Sequence, residues 1–305
     1  TEIKSIYDEG KMTIVQDVAY PNQNRSHFRS TDIWTSGSPA DEFWTTGWLG
    51  KYFDNRYPGY PEGYPSADCP DPFALSISSS VSETCQGISA NFSLALNDPF
   101  GISPLTESEE TPVPDSPYGR ELEFLRNTIE QSNAYAENIS EAADKGNNLS
   151  DQYSDNNQLA QKFKTIALLM SGGLKTKIYV ANLGGFDTHA FQAEPGETNT
   201  GVHADLIGTI SEAVSAFQDD LKQLGLEEKV ITMTFSEFGR RIRSNGNNGT
   251  DHGTAAPMML FGSCINPGFI GESPELPENP TVQDGVPMQF DFRSVYGSIL
   301  MDWFE

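Results

Sequence analysis

Cysteine is nearly missing from this chain of 305 residues: Cys69, Cys85 and Cys264 are its three. Three scattered thiols exclude a disulfide scaffold and a cysteine-rich zinc site, whose ligands come in close pairs. Cys69 and Cys85 lie in a Pro/Ser-rich stretch, where a bridge would stabilise a short loop in an oxidising compartment. The sequence leaves that bridge and two free thiols both open, and Cys264 reads as a lone buried thiol. Basic residues are also few, 19 against 43 acidic ones, for a net charge of -24. Long-range repulsion of that size argues against nucleic acid as a partner. The acidity fits a surface suited to high salt, an exported protein, or a chain that gathers divalent cations. No apolar run approaches the ~20 residues of a membrane-spanning helix. Thr1 opens the sequence without a leader, so a targeting segment is expected to have been removed or to lie outside this numbering.

What is present is ample for a core: 37% of the residues are hydrophobic. The β-branched run Met12 to Ala19 predicts a strand, followed by a loop at Tyr20-Pro21 and a helix after Asn24-Arg-Ser-His-Phe28. From Asp54 to Asp115 the chain turns to Pro, Gly, Ser and Tyr, with YPGYPEGYP and short alternating stretches at 74–78 and 92–96. With the helical pattern from Tyr118 to Ala143, this makes residues 54–156 an irregular and partly helical insertion, read as a lid within a single domain spanning 1–305. A second helix is predicted from Asn157 to Met170. Lys177 to Ala181 is then a strand, His203 to Gly225 an amphipathic helix, and Val230 to Phe235 a strand, which together predict a β-α-β unit. Pro257 to Phe261 adds a buried strand and Phe292 to Phe304 a closing helix. The alternation predicts an α/β fold with a doubly wound, mostly parallel sheet and helices on both faces. Its ligand site should lie beyond the carboxyl ends of the strands.

The chemistry-bearing residues fall at those ends. Asp187-Thr-His189 follows the strand KIYVA, and its spacing puts a carboxylate and an imidazole on one side of an extended segment, as cation binding requires. A turn with a satisfied histidine is the plainer reading of that tripeptide alone. Ser236-Glu237-Phe238-Gly239-Arg240-Arg241 follows the next strand, where a surface ion pair is the plain alternative. The glycine-rich loop from Arg243 delivers Asp251-His252 just before the strand PMMLF. Two of only four histidines thus sit beside aspartates in loops that the topology brings to one sheet edge, which favours metal ligation.

The segments GGFDTH, VITMTFSEFGRR, GTDHG, DFRSVYGSILMDW and RSHFRSTDIWTSG resemble the bacterial exported family called domain of unknown function 1501. The likeness covers most of the chain and is strongest from Lys177 to Gly262. It implies an alkaline phosphatase-like fold of the alkaline phosphatase and sulfatase superfamily, with one or two divalent metals: zinc, calcium, magnesium or manganese. By the same resemblance Asp187, His189, Glu237 and Asp251 or His252 are the metal ligands, with Phe238 where relatives carry a histidine. Ser26 stands where relatives carry a nucleophile; a helix cap is the alternative. Arg25, His27, Arg240 and Arg241 are candidate anion contacts, and Arg243 joins the arginines expected at the mouth of the site. Family members also begin with a strand ending in a Gly-Gly-x-Asp-Gly type motif, and this sequence starts beyond it.

Two functions are implied. One is an exported metal-dependent hydrolase acting on phosphate or sulfate esters of a small molecule or glycan. The other is a non-catalytic periplasmic, cell-surface or extracellular protein that keeps the fold with a degenerate metal site and binds a surface or secretion-system partner.

Overall fold

A computed structural model describes residues 1–102 and 112–304. In chain order the elements are α1 (Glu2–Asp8), β1 (Met12–Ala19), α2 (His27–Ser36), α3 (Trp48–Arg56), β2 (Ala74–Ser76), β3 (Ser93–Ala95), α4 (Pro117–Lys145), α5 (Gln158–Ser171), β4 (Ile178–Val180), α6 (Val202–Gln223), β5 (Thr232–Met233), β6 (Ala256–Phe261), β7 (Gly268–Ile270), β8 (Phe290–Asp291) and α7 (Phe292–Asp302). They fall into two compact units. Unit one comprises 1–44, 150–161 and 183–305, and unit two comprises 45–149 and 162–182.

Unit one is built on a mixed sheet of order β5-β6-β1-β7, with β8 also pairing β1. β1 runs antiparallel to β6 and parallel to β7 and β8, and β5 is antiparallel to β6. The carboxyl ends of β1 and β5 therefore share an edge with the amino end of β6, where Val18 faces Ala256. Within β1 the register to β6 shifts between Val15 and Val18, and Asp17 takes a positive φ of 50° there. At this irregularity, a bulge in the sense that the pairing skips, β1 exchanges β7 for β8 as its parallel neighbour. The Gln289 amide donates to Asp17 O at 2.9 Å, and Gln289 Nε2 donates to the Asp17 carboxylate at 2.5 Å, which fixes the exchange.

The core of unit one follows the apolar alternation of these strands and one face of each helix: Met12, Val15 and Val18, then Ile33 and Trp34, Phe217 and Leu221, Met258 and Phe261, Phe292 and Tyr296 are all buried. Trp34 stacks on Phe292 with centroids 4.3 Å apart. Burial of this apolar surface, at roughly 25 cal/mol per Å2, is what holds the short strands together. Asp220, fully buried on α6, accepts hydrogen bonds from Tyr153 Oη and the Ser150 amide at 3.0 and 3.1 Å.

Unit two holds a three-stranded parallel sheet of order β3-β2-β4. Phe53, Tyr60, Phe73 and Phe92 pack beside it as a buried aromatic cluster.

The mixed α/β class expected from the sequence is present, with two differences in the strands. The strands on either side of α6 do not join one sheet, because β4 pairs β2 while β5 pairs β6. The 74–78 and 92–96 stretches, expected to belong to an irregular insertion, supply β2 and β3 with Ala74, Leu75 and Phe92 fully buried. Part of the expected insertion, residues 103–111, lies outside the described residues. All three cysteines are free, so Cys69 and Cys85 form no bridge. Cys85 is buried at the end of the 3-10 turn Glu83–Cys85, and Cys69 stands in a turn closed with Ser66. Cys264 is exposed rather than buried, since it lies in the turn beyond β6.

Candidate metal centre

The shared edge of the unit-one sheet positions three pieces of chain. The first is the start of α2. Tyr20, at the end of β1, accepts the Asn24 amide on its hydroxyl at 3.0 Å and lies 2.9 Å from Ser30 Oγ, which ties the loop 21–26 to the helix. Ser26 is the N-cap residue in extended conformation, exposed and making no side-chain cap hydrogen bond, and His27 is the first helical residue.

The second piece is the loop carrying Asp187 and His189, and the third is the segment between β5 and β6. They are stitched together along their backbones. The Thr250 amide donates to Thr188 O at 3.1 Å, the Gln192 amide to Asn248 O at 2.9 Å, and Asn245 Nδ2 to His189 O at 2.7 Å. The segment then folds on itself, with the Gly239 amide on Thr254 O and the Gly253 amide on Gly239 O. Two glycines make these approaches feasible. A Cβ on Gly253 would lie 2.2 Å from the Arg240 carbonyl carbon, and one on Gly249 2.3 Å from that of His189.

The outcome is a convergence of imidazoles on one carboxylate. Asp187 Oδ1 lies 2.9 Å from His252 Nε2 and 3.0 Å from His189 Nε2, and Asp187 Oδ2 lies 3.2 Å from His27 Nε2. The two nitrogens His189 Nε2 and His252 Nε2 are 2.9 Å apart. Ligand atoms of His27, Asp187 and His252 all fall within 4.8 Å of one another, a spacing that can hold a metal ion. Each Nδ1 faces an acceptor instead: Glu237 Oε1 at 2.7 Å for His27, Asp251 Oδ1 at 3.1 Å for His189, and the Arg25 carbonyl at 2.7 Å for His252. A carboxylate or carbonyl only accepts, so each Nδ1 carries a proton, and each Nε2 is turned toward Asp187, as a donor to the carboxylate when the ring is protonated and as a lone pair available to a cation when it is neutral. Lone pairs 2.9 Å apart repel unless a positive charge, a proton or a cation, stands among them.

The surroundings are shaped for that charge. Phe238 is buried beneath the cluster, stacked on His252 at 4.4 Å and tilted against His27 at 4.9 Å. The opposite side is open: the side chains of His27, Asp187 and His189 are 41%, 44% and 45% exposed. Partial burial alone would raise the Asp187 carboxyl, but hydrogen bonds from Arg240, His252 and His27 outweigh it and bring the group down to about 2. Arg240 Nη1 donates to Asp187 Oδ1 at 2.8 Å, and its Nε donates to Thr250 Oγ1 at 3.2 Å. The hydrogen bond to Glu237 raises His27, against the opposing effect of burial and with help from Asp187. Asp251 is lowered by its bonds with Asn245 and His189.

Of the residues singled out in the sequence, Asp187, His189 and His252 meet with their ligand atoms facing. Glu237 and Asp251 reach the same place but bond the far nitrogens of His27 and His189. His27, expected as an anion contact, is the third converging imidazole; the scarcity of histidine was the one signal that pointed to it. Arg240 grips Asp187, while Arg25 and Arg241 bond backbone carbonyls. Both terminal nitrogens of Arg25 donate to Gln283 O at 3.2 Å. Arg241 Nε donates to His252 O at 3.0 Å and its Nη1 to Val282 O. The fourth histidine, His203, lies apart in the first turn of α6, edge-on to Phe186, and burial lowers its pKa. The imidazole nitrogens of His27 and His252, the Asp187 carboxylate and an open side fit a divalent cation, with nitrogen donors suiting the borderline metals better than the oxygen-preferring ones.

Fold and site together define an α/β protein with a solvent-open His/Asp cluster at a sheet edge. The family model described as protein of unknown function (DUF1501) matches residues 11–290, and the chain belongs to that family. No curated protein and no solved structure matches it.

Proposed function

We propose that this protein holds a divalent cation on Asp187 and the converging imidazoles, and that it is an exported bacterial hydrolase of phosphate or sulfate esters in small molecules or glycans. The observation that carries the reading is the set of three Nε2 atoms facing one carboxylate while every Nδ1 is occupied by an acceptor. A cation held there would supply polarisation of an ester oxygen and offset the charge that grows in the transition state. The chain's own groups do the rest. Arg240 keeps Asp187 ionised and aimed. Phe238 closes the inner side against water. Ser26 presents an unengaged cap hydroxyl next to His27, at a helix start whose free amides favour an anionic group, and it is the nucleophile of this reading. The alkaline phosphatase and sulfatase superfamily goes with this function, supported by the family motifs and by a site at the carboxyl ends of β1 and β5.

The engagement of Arg25 and Arg241 with backbone carbonyls favours a second reading, in which the protein binds a cation and a cell-surface or secretion-system partner without turnover. Metal analysis of the purified protein, with hydrolysis of aryl phosphate and aryl sulfate, separates the two. Hydrolysis in the wild type that falls at least about 100-fold in Asp187→Ala, together with loss of bound metal, supports the hydrolase. A folded, metal-free and inactive wild type contradicts it.

A further inference from the structure

Two carboxylates at the centre, Glu237 and Asp251, look from their residue type like cation ligands, yet their nearest partners are imidazole Nδ1 atoms, at 2.7 and 3.1 Å. The third histidine is held the same way by a main-chain oxygen, Arg25 O at 2.7 Å from His252 Nδ1. Each of these acceptors has its own anchor. Ser236 Oγ donates to Glu237 Oε2 at 3.1 Å, and Asn245 Nδ2 donates to Asp251 Oδ1 at 3.3 Å. The Arg25 guanidinium is tied to Gln283 O, which steadies its residue. An imidazole has one proton to place on two nitrogens in its neutral form, so an acceptor at Nδ1 selects the tautomer whose Nε2 is a donor of electrons. It also turns the ring and makes that nitrogen more basic.

We infer that Glu237, Asp251 and the Arg25 carbonyl are positioning groups, which act on a bound cation only through His27, His189 and His252 respectively and do not ligate it. The inference rests on the cation reading above. It goes beyond that reading by assigning the two acidic residues to the outer sphere and by pairing each with one histidine.

A pairing of this kind is tested by double-mutant cycles. Cobalt(II), a visible-absorbing borderline cation, is the probe, and its affinity and absorption spectrum are measured by titration of the metal-free protein. Asp251→Asn lowers cobalt affinity about 10- to 100-fold in the wild-type background and has almost no further effect in His189→Ala. Glu237→Gln behaves alike with respect to His27→Ala and keeps its full effect in His189→Ala. The thermal midpoint of each metal-free variant is recorded beside the affinity, so that loss of folding is not read as loss of positioning. An equal fall in affinity for Asp251→Asn with and without His189 overturns the inference, since a direct ligand acts independently. Unchanged cobalt affinity and spectrum in both Asn and Gln variants overturn it too, while leaving the cation reading intact. Failure of the wild type to take up cobalt overturns both.

Discussion

Asp187 is the residue on which the centre turns, because four cationic or imidazole side chains address its two oxygens: Arg240, His189 and His252 on Oδ1, and His27 on Oδ2. Removing it leaves the imidazoles without a shared anion and Arg240 without its charge partner, hence the loss of metal and of ester hydrolysis expected of Asp187→Ala. His203 provides a second prediction at this scale. Its Nδ1 is buried without a hydrogen-bond partner among the described residues, and burial, with a smaller contribution from Arg240, depresses its pKa below the ordinary 6.5. The sign follows from proton counting: below 6.5 the unfolded chain binds the proton more readily than the folded one, so stability is full above that pH and falls as pH drops through it. Urea unfolding at pH 7.5 and at pH 5.5 should show His203→Leu losing less stability on acidification than wild type; equal losses would contradict the assignment. Much of the centre was legible at this scale. Asp187, His189, Asp251 and His252 announce themselves as acid/imidazole pairs at strand ends. His27 does not, being 160 positions from Asp187 and without an acidic neighbour in sequence. Nor can residue type tell a ligand from the group that orients a ligand: Glu237 and Asp251 differ from Asp187 only in which nitrogen they face.

At the scale of elements, β6 explains why distant loops meet. It is antiparallel to both β1 and β5, so its beginning and their ends lie at one edge, and Asp251-His252 arrives there from one direction while His27 and Glu237 arrive from the other. The rule that ligands bind beyond strand ends survives although the sheet is mixed. Composition revealed each strand but not its partner: KIYVA was expected beside β5 and pairs instead with Ala74–Ser76, a segment whose serines disguised its burial. The joint between the loops is steric, and it yields a prediction. Gly253→Ala drives a methyl against the Arg240 carbonyl, with an expected cost of about 1 to 3 kcal/mol. It should also displace His252 and weaken metal binding. Gly184→Ala, in the neighbouring loop, meets nothing within 4 Å and serves as the control. Chemical denaturation and metal titration of the pair read both effects; equal stability and affinity of the two variants would contradict the close-approach argument.

At the scale of the whole molecule, a net charge of -24 draws cations and repels polyanions, which agrees with a metal centre and disfavours nucleic acid. Among the described residues no helix is long and apolar enough to cross a membrane. The division into two units was not legible, because it depends on which strands pair and the chain passes between the units several times. The residues singled out from sequence as site candidates nevertheless all belong to unit one. That placement makes the claim of a cation centre testable in one measurement, anomalous X-ray diffraction from crystals grown with zinc and collected at its absorption edge. The account predicts a peak within about 2.0 to 2.2 Å of Asp187 oxygen and of the Nε2 atoms of His252 and at least one of His27 and His189. An absent peak, or one bound to Nδ1 atoms or to acidic residues elsewhere on the surface, would contradict it.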